Sequence, residues 1–227
     1  MKLLTDIPFE IDTADLLKKV RAEPGTGDAA SVETLIARAA KIGRPKAMYR
    51  ESWVDAVDGD TVTIDGIAFE SRTLAMNLDG VGRVFPFIAT CGRELDEAGA
   101  ESDDFLADFW WDTIKAALLA AAIKYMNSHL DTHFLLPKTS AMSPGSGDTD
   151  VWPIEQQRGL FALFGGRAVD IGVELTGSFL MIPNKTISGI RFTTESDFRS
   201  CKVCRRENCV SRSAVFDREL WESIQRG

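Results

Sequence analysis

Residues 105–130 read FLADFWWDTIKAALLAAAIKYMNSHL and carry the strongest helix signal in the chain. Alanine has the highest helix propensity, and the small side chains of residues 116–123 permit close packing on several sides. A helix of about 26 residues spans roughly 39 Å. We expect Trp110 and Trp111 to pack in the core. The segment therefore predicts one long Ala-rich helix, which ends before Pro137.

Strand signals lie before this helix. Asp65-Gly66 is a turn signal between residues 61–64 and 67–69, so this region predicts a hairpin. Residues 84–90, VFPFIAT, form a continuous apolar run that predicts a buried strand. Pro86 favours an edge position or an irregular segment, because proline has no amide hydrogen to donate.

The remaining segments mix helices with strands. Residues 1–50 predict two helices, one capped by Asp12 or Thr13 and one beginning at Ser31. After the long helix, residues 155–164 predict a short helix and residues 215–225 a terminal one. Residues 170–176, 179–182 and 187–193 are strand-like. The absence of a regular βα alternation predicts an α+β fold.

Composition limits the class of protein. The 227 residues include 26 Lys and Arg against 34 Asp and Glu, a net charge of −8, and 44% are hydrophobic. This composition excludes a mainly disordered chain, and the acidic balance disfavours nucleic-acid binding. The sequence contains no run of 18 apolar residues, which a membrane span would need. Residues 1–6 lack the apolar core of a signal peptide. We therefore expect a cytoplasmic protein that binds neither nucleic acid nor membrane.

Three of the four cysteines lie close together. Cys201, Cys204 and Cys209 form a C-x2-C-x4-C pattern among basic residues, and Cys91 stands far away. Three thiolates can hold three corners of a [4Fe–4S] cluster, with Cys91 as a candidate for the fourth. Zinc with three sulfur ligands is a second interpretation, and free or redox-switch thiols are a third. Cys91 alone is also typical of a small buried hydrophobe.

A histidine pair near the end of the long helix is a second candidate metal site. His129 and His133 are four residues apart and share a helix face, a spacing at which two imidazoles can bind a metal. Favourable placement of two histidines at a helix C-terminus is the simpler interpretation.

Several motifs, in order, resemble a known family. They are SPGSGD at 143–148, WPIEQQR at 152–158, IGVELT at 171–176 and MIPNKTISG at 181–189, with a shorter match at 90–92. Together they resemble the activation (reactivation) domain of cobalamin-dependent methionine synthase, and the free-standing activation-domain-like proteins of bacteria with corrinoid metabolism. The resemblance runs from about residue 85 to the end.

The resemblance implies a fold and a chemistry. The implied fold is one α+β domain with a bent antiparallel sheet flanked by helices. In methionine synthase this domain binds S-adenosylmethionine and docks on the cobalamin module after oxidation to cob(II)alamin. One electron and a methyl group then restore methylcobalamin. The implied partners are a cobalamin-binding methyltransferase or methionine synthase and an electron-donor protein.

The expected organisation follows this resemblance. We treat residues 1–227 as one activation-domain-like domain, with a helical part at 1–50, the best-matching core at 85–200 and a Cys-rich segment at 201–227. Within the core, the resemblance assigns the cofactor-binding positions Ser143, Pro144, Gly145, Ser146, Gly147 and Lys185.

The loop departs from the family at two positions. Ala141 stands where the family has an Arg that can hold a carboxylate, and Ser146 stands where it has a Tyr. Pro144, Gly145 and Gly147 still favour a tight turn with exposed amides. We therefore do not expect S-adenosylmethionine to bind in the family's manner.

Two functions follow from the resemblance taken together with the cysteine pattern. The first is reactivation or reductive remethylation of a corrinoid-dependent methyltransferase, with the cysteines supplying or relaying an electron. The second is an iron–sulfur redox module or a corrinoid-binding accessory module, without S-adenosylmethionine-dependent activity.

Overall fold

The computed structural model describes residues 1–100, 104–148, 151–209 and 212–226. It confirms an α+β fold built on an antiparallel sheet. The strands are β1 Lys2–Leu4, β2 Lys46–Tyr49, β3 Ser52–Asp58, β4 Thr61–Ile64, β5 Ile67–Glu70, β6 Arg83–Thr90, β7 Thr139–Met142, β8 Glu174–Leu175, β9 Met181–Ile182 and β10 Thr186–Thr193. The helices are α1 Thr13–Val20, α2 Gly27–Ile42, α3 Arg72–Leu78, α4 Arg93–Ala98, α5 Phe105–Phe134, α6 Gln157–Ala162 and α7 Arg218–Arg226.

Strand β6 lies at the centre of the sheet. It pairs with β10 on one side and with β2 and β3 on the other. The expected edge position for Pro86 is therefore wrong. Opposite Pro86, on the side of β6 that faces β2 and β3, the chain passes from the end of β2 to the start of β3. On that side the Pro86 carbonyl accepts a hydrogen bond from Arg50 N at 3.0 Å, and no amide hydrogen of Pro86 is needed. The missing amide of proline thus falls at a break in the adjacent strand.

The two faces of β6 contact different parts of the core. Val84 and Ile88 belong to the cluster that also contains Trp152 and Phe164. The alternate residues Phe85, Phe87 and Ala89 pack against α5, through Ala122, Met126 and Leu130. Because successive side chains of a strand point to opposite faces, the sheet separates these two clusters.

The long predicted helix is confirmed as α5, which has 30 residues. Trp110 and Trp111 are buried, as expected, and Trp111 Nε1 donates to Leu95 O at 3.0 Å. The other end of α5 is held by the buried Arg191 of β10, which donates to Asp131 Oδ1 at 2.6 Å and to Asn127 O at 3.1 Å. Helix α5 is therefore fixed along one face of the sheet.

Local predictions hold best where turn and cap residues are clear. Asp12 caps α1, and the predicted hairpin is β4–β5 around Asp65-Gly66. Helix α2 begins at Gly27, four residues before the predicted start, because Thr26 accepts from Ala29 N as its cap. The predicted strand at 170–176 is wrong apart from β8, since Arg167–Ile171 forms a 3-10 helix.

Candidate functional site

A cleft of about 550 Å³ lies beside the best-matching motifs. Pro144 of the 143–148 loop and Gln157 of α6 line one part of it. The segment 176–182, which includes the β8–β9 connection, lines another part, followed by Asn184 and Thr186. Asp96 of α4 also contributes to the wall. Four segments that are far apart in sequence therefore meet in one concave site.

Buried hydroxyl and amide groups support the cleft from the sheet. Thr186 Oγ1 donates to Thr90 Oγ1 at 2.9 Å, and Thr90 Oγ1 also accepts from Gly92 N at 3.3 Å. Ser188 Oγ donates to Gln157 Oε1 at 2.7 Å, with both residues buried. These bonds satisfy polar groups that would be costly to bury alone.

The charged groups near the cleft form ion pairs. Lys115, buried on α5, donates to Asp96 Oδ1 at 3.1 Å and to Asn184 Oδ1 at 2.9 Å. Lys185 Nζ lies 2.7 Å from Asp112 Oδ2. The predicted binding residue Lys185 is thus adjacent to two cleft-lining residues, and its charge is paired with a carboxylate of α5.

The 143–148 loop makes the expected tight turn, with positive φ at Gly145 and Gly147. The Gly145 amide donates to Trp152 O at 2.8 Å, and the Ser146 amide donates to Ser143 O at 3.1 Å. These two amides are therefore engaged within the loop and its neighbour, so the expected cradle of exposed amides is wrong for them. Pro144 is the member of the predicted set that lines the cleft.

The C-terminal cysteine segment is organised around Arg212. Its guanidinium donates to the carbonyls of Cys201 and Cys204, both at 3.2 Å, and to that of Arg206. The segment is anchored in the core by Val203, which is fully buried. A cation bonded to several carbonyls thus fixes the path of the chain between the cysteines.

Cys201 has two hydrogen-bond donors at its sulfur. Ser213 Oγ and Ser213 N both lie 3.4 Å from Cys201 Sγ. These hydrogen bonds are the main cause of a lowered pKa for the Cys201 thiol, with a smaller contribution from the Arg212 charge. Cys201 is therefore more readily ionised than an ordinary cysteine.

An ion pair joins the cysteine segment to the 143–148 loop. Arg205 Nε lies 2.5 Å from Asp148 Oδ2, and Arg205 N donates to Asp148 Oδ1 at 3.2 Å. The Arg205 guanidinium also stacks over the Trp221 ring of α7, at 4.9 Å from its centroid. Two regions that the sequence singles out separately are thereby neighbours.

The predicted metal ligands do not form a metal site in the part of the chain that the structure describes. Within it, no three His, Cys, Asp or Glu residues are close enough to hold a metal ion. Cys201, Cys204 and Cys209 are free thiols. The iron–sulfur cluster and the zinc site therefore have no support in the described residues and stay predictions of the sequence.

Cys91 is not brought to the other three cysteines. It follows Phe87 and Ala89 at two-residue spacing and packs in the cluster containing Leu95 and Trp111, whereas Val203 belongs to the cluster on the other face of the sheet. Burial raises the pKa of the Cys91 thiol to about 12. The structure therefore does not bring Cys91 to the other cysteines, and its surroundings are those of a small buried hydrophobe.

The histidine pair is part of an aromatic cluster. The rings of His129 and His133 stack with centroids 5.9 Å apart, and His129 also contacts Tyr49 at 5.8 Å. Burial, followed by the nearby Lys2 and His133 charges, lowers the pKa of His129. These contacts agree with the simpler, structural interpretation.

Asp96 and Gln157, which line the cleft, and Lys115, which pairs with Asp96, were not among the predicted site residues. Gln157 carried a usable signal, because it shares a helical face with the buried Leu160 and Phe164, three and seven residues later. A polar residue on an apolar face indicates a buried hydrogen bond or a site. Asp96 and Lys115 are brought together only by the packing of α4 against α5.

Comparisons with known proteins identify the fold. No family model matches the chain, and no curated protein matches it in sequence. The structure is similar to the crystal structure of the MetH reactivation domain bound to AdoHcy, with a TM-score of 0.55 and 15% sequence identity. The match covers 82% of this chain and 67% of that chain. At this identity the likeness shows a shared fold.

The helices that the structure describes differ from membrane-spanning segments in length or in composition. None of those in the described ranges combines the length and the apolar character needed to cross a bilayer.

Proposed function

We propose that the protein serves the reactivation of a corrinoid-dependent methyltransferase by docking on the partner's cobalamin after its cobalt has been oxidised. The observation that carries this proposal is a cleft, in the fold of the MetH reactivation domain, where Pro144 meets residues 176–186. Both segments belong to the motifs that resemble the activation-domain family. The fold and the position of the cleft thus point to the same process.

The chemistry of the cleft favours a reductive role over methyl transfer from bound S-adenosylmethionine. Ala141 lies in β7 and offers no charge for the ligand's carboxylate. No Lys or Arg is among the described residues that line the cleft, and the Gly145 and Ser146 amides are engaged. The protein then acts on the partner while the cobalt is reduced, without holding S-adenosylmethionine in the family's manner.

The electron comes from a separate donor protein in this scheme. Within the described residues no three candidate ligands come close enough to hold a metal ion, so no electron is assigned to the cysteine segment. The ion pair of Arg205 with Asp148 supports a different contribution, in which the segment holds the 143–148 loop next to the cleft.

A corrinoid-binding accessory module is the second candidate function. Such a module would shield or transfer the corrinoid without accelerating its reduction. The same two observations support it, namely the engaged loop amides and the absence of cationic side chains from the described cleft lining.

An anaerobic reactivation assay tests the proposed function. A cobalamin-binding methyltransferase in the cob(II)alamin state is mixed with a low-potential reductant, with and without this protein. The loss of cob(II)alamin is followed by electron paramagnetic resonance, and complex formation by size-exclusion chromatography. We expect a complex and faster loss of cob(II)alamin, with no requirement for S-adenosylmethionine.

The outcomes separate the candidates. A complex without acceleration identifies the accessory module. Neither a complex nor acceleration overturns both functions. Acceleration that depends on micromolar S-adenosylmethionine would show that other residues replace the family's Arg and Tyr.

A further inference from the structure

The side chain of Gln157 has one partnered end and one unpartnered end. It is 3% exposed, yet it lines the cleft. Its Oε1 accepts from Ser188 Oγ at 2.7 Å. Among the described residues, nothing accepts a hydrogen bond from its Nε2. The Nε2 atom is not among the fully enclosed side-chain atoms without a partner, so a ligand in the cleft can reach it and accept a hydrogen bond from it.

The Ser188 hydroxyl contacts the oxygen end of the Gln157 carboxamide. Ser188 is on β10, facing α6, and its hydroxyl is buried. With Oε1 held by this hydroxyl, the two hydrogens on Nε2 remain to donate. The cleft wall therefore carries a hydrogen-bond donor at the start of α6.

The rest of the cleft combines apolar walls with acceptors. Its apolar lining residues are Pro144, Ile154, Phe179, Leu180, Met181 and Ile182. The Asp96 carboxylate, the Asn184 amide and the Thr186 hydroxyl supply polar atoms. The charge of Asp96 is paired with Lys115 at 3.1 Å. An uncharged ligand group that both accepts and donates hydrogen bonds, attached to an apolar body, matches this lining.

We propose, on the basis of the function proposed above, that Gln157 recognises a primary amide arm of a corrinoid. Corrinoids carry such arms around an apolar ring edge. The amide oxygen accepts from Gln157 Nε2, and the amide hydrogens are donated toward acceptors such as Asp96. A carboxylate arm would instead meet the Asp96 carboxylate and no cationic side chain in the described lining.

The test compares two free corrinoids that differ in these arms. Dicyanocobinamide carries amide arms, and dicyanocobyrinic acid carries carboxylates in their place. Equilibrium dialysis measures the binding of each to the whole chain, so no partner protein is needed. We expect the wild type to bind the amide form at least tenfold more tightly than the carboxylate form.

Variants identify the residue responsible. Gln157→Met keeps the side-chain volume and removes the donor, and it should weaken dicyanocobinamide binding about threefold to tenfold. The double variant Gln157→Met with Ser188→Ala removes both partners of the buried hydrogen bond. It leaves no buried hydroxyl without a partner, so binding can be measured on folded protein even if the single variant is unstable. Glu155→Gln, an exposed change on the preceding 3-10 turn, is the matched control and should bind as the wild type does.

Several results would overturn the inference. These are no detectable binding of dicyanocobinamide, equal binding of the two corrinoids, or unchanged binding by both Gln157 variants. Gln157-dependent binding of adenosine or S-adenosylhomocysteine, with no binding of the corrinoids, would assign the donor to an adenosyl ligand and also overturn it. If the corrinoid-binding test fails but the protein still accelerates the loss of cob(II)alamin in the reactivation assay, the proposed function stands without the role of Gln157. The two proposals can therefore fail independently.

Discussion

The Asp148 carboxylate holds Arg205 by two contacts, one to Nε at 2.5 Å and one to the main-chain amide at 3.2 Å. Asp148 is mostly shielded, with a side chain 16% exposed, whereas that of Arg205 is 55% exposed. The pair ties the cysteine segment to the loop beside the cleft. Its loss should therefore loosen the segment more than it destabilises the protein.

Asp148→Ala should increase tryptic cleavage after Arg205 and Arg206 severalfold. The free energy of unfolding should fall by less than about 1 kcal/mol, because the arginine is largely solvated. Limited proteolysis with mass spectrometry measures the first quantity, and urea unfolding the second. Asp170→Ala is the matched control, since it breaks the Arg167 pair at 2.7 Å elsewhere on the surface. Equal cleavage in both variants would contradict the link.

The four thiols should differ in reactivity. In anaerobically purified native protein, Cys201, Cys204 and Cys209 should react with a thiol reagent, and Cys91 should react only after denaturation, because it is fully buried. Ellman titration before and after adding guanidinium measures this, with iron and zinc analysis on the same sample. Protein-bound iron that protects three thiols would contradict the free-thiol structure and support the cluster predicted from the sequence.

Cys201 should be the fastest thiol to alkylate near neutral pH. A lowered pKa increases the thiolate fraction there, and the thiolate is the nucleophile. Ser213→Ala removes the hydroxyl donor, so the pKa of Cys201 should rise and its alkylation should slow. Residue-resolved mass spectrometry gives the rates, with Cys204 in the same molecule as the reference. An unchanged ratio of the two rates would rule out the effect of Ser213.

His129 should make the protein less stable in acid. Its pKa is lowered in the folded state, mainly by burial, so the unfolded chain binds the proton more readily. Stability from this group is therefore present above the unfolded pKa of about 6.5 and declines as the pH falls through it. His129→Gln should flatten the pH profile of urea unfolding below about pH 6.5. The variant His133→Gln, at an exposed position, should keep most of the slope of stability against pH. An equal loss of slope in the two variants would contradict burial of His129 as the cause.

Gly189 should not tolerate a side chain. A Cβ there would lie 2.4 Å from Met142 O and 2.6 Å from Ser143 Oγ, where β10 meets the start of the cleft loop. Gly189→Ala should lower the free energy of unfolding by about 1–3 kcal/mol through overpacking. Gly177→Ala is the control, because nothing lies within 4 Å of its Cβ position. Differential scanning calorimetry of both variants checks the contrast.

The limits of prediction can be seen at particular residues. The α5 helix and the β4–β5 hairpin depend on local signals, a long Ala-rich segment and an Asp-Gly turn, and both were predictable. The position of Pro86 was not, because it depends on where the neighbouring chain passes from β2 to β3. A strand was predicted at residues 170–176, but only its end forms the short strand β8, which pairs with β9. The beginning of the predicted strand belongs to the 3-10 helix Arg167–Ile171.

The candidate site shows the same division. Pro144 and the segment around Lys185 were found from motifs, but the ion pairs of Lys185 with Asp112 and of Asp96 with Lys115 require α4 and α5 to pack together. The engagement of the Gly145 amide also depends on a distant partner, Trp152 O. A motif indicates which residues meet, and the packing decides which of their polar atoms remain available.

The sequence by itself determined the fold class, the long helix and the segments that line the cleft, because propensity, turn chemistry and motif order are properties of the chain. Only the tertiary structure decided that Cys91 lies across the sheet from the cysteine segment and that the Gln157 donor opens into the cleft. Both depend on which face of a strand or helix meets which neighbour, and that is set by contacts between residues far apart in the chain.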